Sequence, residues 1–122
     1  GLTSMPDVFE LCADNAATYR KDAKLLQELI YRAIAFKADV VMQDERDGGI
    51  RNILNFGHSV GHAVELLPNN TWLHGECVSV GCVHELMAAR AMGRCSAELV
   101  QRAEKCFQAY KLPTRLQPPY FD

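Results

Sequence analysis

The sequence predicts an all-α fold, a compact multi-helix domain of about five helices. Three observations predict it. Apolar residues recur at three- and four-residue steps along most of the chain; Pro, Gly, Asn and Asp punctuate it at helix-length intervals; and no run of four or more residues alternates like a half-buried strand.

The first helical piece opens at Pro6-Asp7, runs through Val8-Phe9-Glu10-Leu11-Cys12-Ala13 and closes at Asp14-Asn15. From about Asp22, the residues Leu25, Leu26, Leu29, Ile30, Ala33 and Ile34 mark a buried stripe on the longest helix, which runs toward Val41. Asp47-Gly48-Gly49 breaks it, because paired glycines favour a turn over helix continuation. A third helix is expected from Ile50 to Leu67, ending at Pro68-Asn69-Asn70. After Trp72, the residues Cys77, Val80, Gly81, His84, Met87, Ala88 and Met92 fit a fourth helix stopped by Gly93. The fifth spans about Ser96 to Tyr110, with Ser96 as N-cap and Glu98 in the first turn. Pro113, Pro118 and Pro119 make the last dozen residues an extended tail, and its ending suggests a chain cut from something larger.

At 122 residues the chain holds one core, so residues 1–122 are expected to form a single domain rather than a complete multi-domain enzyme. Hydrophobic residues at 48% and charged residues at 23% exclude a disordered tail or a fibrous repeat. Thirteen basic against fifteen acidic residues, with no basic run, leave no electrostatic footprint for nucleic acid. The five cysteines show no CxxC or zinc-knuckle spacing and read as reduced, mostly buried thiols of a cytoplasmic protein. No stretch of about 18 apolar residues suggests a membrane role.

The chemistry is concentrated between residues 51 and 65. On one continuous helix Arg51, Asn55, His58, His62 and Glu65 follow one another at steps of four, three, four and three and share a face. One guanidinium, one amide, two imidazoles and one carboxylate are the side chains of binding sites rather than of a solubilising Lys/Glu surface. The same spacing also suits histidines packed against a neighbouring helix. Gly57 and Gly61 lower helix propensity, and would let a backbone or ligand come close. His58 and His62 at i and i+4 could chelate a divalent metal, and His74 in Leu73-His74-Gly75-Glu76 makes a second possible pair with His58. Lys37 continues the spacing of Ile30, Ala33 and Ile34 and is expected to project toward the same cavity as Arg51. His84 and the cysteines Cys77 and Cys82 read as packed core residues.

Lys37-Ala38-Asp39-Val40-Val41, Asp44-Glu45-Arg46, the run Arg51 to Ala63 with its LNFGHSVGHA segment, and Leu73-His74-Gly75-Glu76 resemble 3-dehydroquinate synthase in order and spacing. The resemblance implies the carboxy-terminal helical domain of a two-domain enzyme whose α/β NAD-binding domain lies outside this sequence. It implies a phosphorus–oxygen lyase of the shikimate pathway that converts 3-deoxy-arabino-heptulosonate 7-phosphate to 3-dehydroquinate and phosphate, with NAD and zinc, or another divalent metal such as cobalt, as cofactors. By the same resemblance His58 and His74 are metal ligands, and His62, Lys37 and Asn55 form the catalytic set. Lys37, Asp47, Arg51, Asn55 and His62 contact the phosphorylated sugar acid, Asp47 standing where the family usually has glutamate. The intact enzyme is expected to be a homodimer, and residues 1–122 alone are expected to be inactive.

Two other classes stay open. A related sugar-phosphate cyclase would share the metal frame but take a substrate without a carboxylate, leaving Arg51 without a charge partner. The other is a non-catalytic helical metal-binding or interaction module, although an interaction helix would carry apolar or aromatic anchors where His58 and His62 stand.

Overall fold

A computed structural model describes residues 5–47 and 49–117, apart from the side chains of Arg46, Asp47 and Arg51. Gly48 and the end of the expected tail, Pro118 to Asp122, lie outside the described residues. The elements are α1 (Pro6–Asp14), α2 (Ala23–Asp47), a 3₁₀ helix (Ile50–Asn55), α3 (His58–Glu65), α4 (His74–Ala91) and α5 (Ala97–Ala109). No strand occurs among the described residues, so the all-α expectation holds. The chain divides into two compact units, Gly1–Asn55 and Phe56–Asp122.

In the first unit α1 packs on α2, and Val8, Phe9 and Val40 are buried. Helix α2 begins where Asp22 accepts the Leu25 N–H at 3.0 Å, as an N-cap side chain does. It runs six residues past Val41 and stops before Gly49, which has φ of +111° and donates its N–H to Asp44 Oδ1 at 2.7 Å. The expected buried stripe is corrected. Leu26, Ile30 and Ile34 are 42%, 51% and 63% exposed, and Ala33 is exposed too. The period is helical, but the nine-residue α1 is too short to cover a 25-residue partner.

The expected third helix is also corrected, because it is two elements. Residues 50–55 wind as a 3₁₀ helix and α3 starts only at His58, with Gly57 between them at φ of +80°. A 3₁₀ helix turns about 120° per residue against about 100° for an α-helix, and the left-handed Gly57 interrupts the helical path. The five polar residues therefore do not share one helix face: His58, His62 and Glu65 do, while Arg51 and Asn55 lie on the 3₁₀ helix of the other unit.

The second unit is built around α4, whose consecutive residues Ser79 to Val83 are all buried between α3 and α5. Val64, Cys77 and Val80 form its centre, with Val60, Leu67, Trp72 and Leu116 packed against them. Close approach of α3 to α4 depends on glycine. A Cβ on Gly81 would fall inside the Gly57 carbonyl and 2.8 Å from the Gly61 nitrogen, and a Cβ on Gly61 would meet Val78 Cα at 3.1 Å. Helix α4 is closed past its C-cap by Gly93, at φ of +71°, where the Arg94 N–H reaches Ala89 O at 2.8 Å in a Schellman-type closure. Ser96 caps α5 through the Leu99 N–H at 3.1 Å, and Val100, Ala103 and Cys106 are its buried face. The tail is not free as far as it is described: Ser79 Oγ donates to Pro113 O at 2.7 Å, and Thr114 is buried.

Candidate functional site

The GHSVGHA segment forms α3 and the turn before it, and the LHGE segment forms the start of α4. Glu76, at the third helical position of α4, accepts the Leu73 N–H at 2.8 Å and satisfies an otherwise orphaned donor. Its role is therefore to start α4. That start places His74 as the first helical residue rather than in a connecting loop, facing the last two turns of α3.

Three imidazoles converge there. The ring centroids of His58 and His74 are 5.3 Å apart, those of His58 and His62 5.6 Å, and those of His62 and His74 5.8 Å. Glu65 joins them from the end of α3, its Oε1 2.9 Å from His74 Nδ1. One donor atom each from His62, Glu65 and His74 lie within 4.8 Å of one another. His58 Nδ1 lies 3.2 Å from Phe56 O. A carbonyl oxygen only accepts, so in the neutral ring the proton sits on Nδ1 and the lone pair on Nε2. Imidazole nitrogens suit a borderline divalent ion such as zinc, and the His58 and His74 rings, with centroids 5.3 Å apart, are close enough to share one, so the residues present fit a metal.

The remaining expected site residues belong to the other unit. Lys37 is exposed on α2 and Asn55 is exposed at the end of the 3₁₀ helix. The side chains of Asp47 and Arg51 lie outside those described. His84 donates through Nδ1 to Val80 O at 2.9 Å, as expected of a packed histidine.

Glu85 is a residue the sequence reading missed. Its Oε2 accepts the Gly57 N–H at 2.8 Å and so anchors the turn that launches α3, while its Oε1 is buried with no hydrogen-bond partner among the described residues. Nearby, burial pushes the Cys82 thiol up from 9.0 to about 11, and the Glu85 charge adds to the shift. Between pH 9 and 11 the folded chain keeps a proton that the unfolded chain loses, so this contribution is complete below pH 9 and disappears toward pH 11. Denaturant midpoints at pH 8 and pH 10.5 should therefore differ less in Cys82→Ala than in the parent.

Residues 1–122 match the family described as 3-dehydroquinate synthase C-terminal. The chain belongs to that family. The pentafunctional AROM polypeptide of Komagataella phaffii is 51% identical over 89 residues, which are 73% of this chain. The chain spans about 6% of that relative's length. The GHSVGHA and LHGE segments supply all three clustered histidines, and the carboxylate beside them comes from Glu65, two residues beyond the first segment. No helix among the described residues is long and apolar enough to cross a membrane.

Proposed function

We propose that the chain is the metal- and substrate-binding part of a 3-dehydroquinate synthase, which closes 3-deoxy-arabino-heptulosonate 7-phosphate to 3-dehydroquinate with loss of phosphate. The observation that carries this reading is the convergence of His58, His62 and His74, with ring centroids 5.3–5.8 Å apart, in a chain of this family. In this reading residues 1–122 work as one domain of a cytoplasmic, homodimeric enzyme whose NAD-binding domain belongs to the longer protein. The described residues contain no strand and hence no strand–glycine-rich loop–helix unit, so no step through NAD follows from this chain.

His58 and His74 would hold the metal. When bound, zinc or cobalt supplies Lewis-acid polarisation of substrate oxygens and a template for the reacting groups. His62, exposed beside both rings, holds a substrate hydroxyl by hydrogen bond. Arg51 takes the substrate carboxylate in a charge-assisted fork, which a neutral sugar could not use. Lys37 and Asn55 complete the polar contacts and form the catalytic set with His62, and Asp47 adds a shorter acidic arm.

Arg51→Leu in the full-length enzyme tests the substrate class. Removing one partner of a charge pair costs about 3 kcal/mol, so KM for the sugar acid should rise roughly 100-fold, or phosphate release should cease. An unchanged KM would favour a cyclase acting on a neutral sugar. Absence of phosphate release from the parent enzyme would leave a metal-binding module as the better reading.

A further inference from the structure

The geometry points to Glu65 as the positioning residue for His74: its carboxylate fixes the imidazole as the Nδ1–H tautomer and so turns the Nε2 lone pair toward a metal. This rests on the reading of His74 as a ligand and adds a residue to it. Glu65 Oε1 lies 2.9 Å from His74 Nδ1, within the range of a charge-assisted hydrogen bond. An ionised carboxylate only accepts, so the shared proton is on the ring, and in the neutral ring the lone pair is then on Nε2. In water a free histidine side chain favours the other tautomer, so the choice is imposed by the partner.

The pair does not arise from helical neighbours. Glu65 is the last residue of α3 and His74 the first of α4, nine positions apart, so the turn between the helices has to bring them together. Stability gives little reason for the contact, because the His74 side chain is 54% exposed and Glu65 32% exposed, and pairs in that setting contribute little. His58 shows the same device with a different acceptor, its Nδ1 facing Phe56 O. Both rings thus present Nε2, and metal-binding histidines commonly donate their other N–H to a carboxylate or a backbone carbonyl. The two nitrogens of one ring point apart, so a carboxylate engaged at Nδ1 stands behind the ligand rather than beside it.

The test uses nitrogen-15 histidine shifts of the metal-free chain, followed by zinc affinity in competition with a chelator, for the parent, Glu65→Ala and Glu65→Gln. His74 should be an Nδ1–H tautomer in the parent and a mixture in Glu65→Ala, with His58 unchanged as the control for folding. Zinc affinity should fall about 10- to 100-fold in Glu65→Ala and recover most of that loss in Glu65→Gln, whose amide oxygen can still accept the proton. The inference is overturned if His74 keeps its tautomer without the carboxylate. Equal losses in both variants also overturn it, because a direct carboxylate ligand would be missed in each. His74→Ala separates this from the underlying reading: unchanged zinc affinity there removes His74 as a ligand, whatever the tautomer of the parent.

Discussion

Gly81→Ala is expected to destabilise the protein by about 3 kcal/mol, at the upper end of what overpacking usually costs. The new methyl group would land inside the Gly57 carbonyl and against the Gly61 nitrogen, both backbone atoms that no rotamer change can move. Relief requires α3 to shift off α4, and that shift would separate His58 and His62 from His74. At roughly 4 °C per kcal/mol for a domain of this size, the melting temperature should fall by about 12 °C. Gly75→Ala is the control in the same helix. A Cβ there meets nothing within 4 Å, so the better helix propensity of alanine should leave stability unchanged or raise it by up to about 1 kcal/mol. Thermal unfolding of both variants checks the argument, and equal melting temperatures would refute it.

The second large effect concerns the metal. Structural zinc sites supply about 10–16 kcal/mol over four ligands, so one imidazole carries about 3 kcal/mol, or roughly 100-fold in affinity. His58→Ala and His74→Ala should each lose about that much. His62 shares the cluster but serves the substrate in the proposed function, and its removal should change zinc affinity only a few-fold.

The local punctuation of the fold was legible because it follows from backbone chemistry. Pro6 opening α1, Gly93 closing α4 and Ser96 capping α5 each act through one φ angle or one hydrogen bond. Burial was less legible. The apolar period of α2 is real, but a period names a face without naming what covers it, and Leu26, Ile30 and Ile34 are exposed. The site was half legible for a related reason. The spacing of His58, His62 and Glu65 survives because α3 is one helix, whereas the face does not extend back to Asn55 and Arg51, because Gly57 takes a left-handed φ that a lowered helix propensity does not by itself announce. Gly57 and Gly61 are sites of close approach, as their low helix propensity suggests, and the approaching group is the backbone of α4. Glu85 escaped because its partner is a backbone N–H 28 residues away, which no local pattern encodes.

A calorimetric zinc titration of the parent, His58→Ala, His74→Ala and His62→Ala tests the central claim most directly. The account predicts that the first two variants lose about 100-fold in affinity while His62→Ala stays within a few-fold of the parent. If His62→Ala loses binding and His58→Ala keeps it, the metal belongs to His62, Glu65 and His74, and the assignment of His58 as a ligand is wrong.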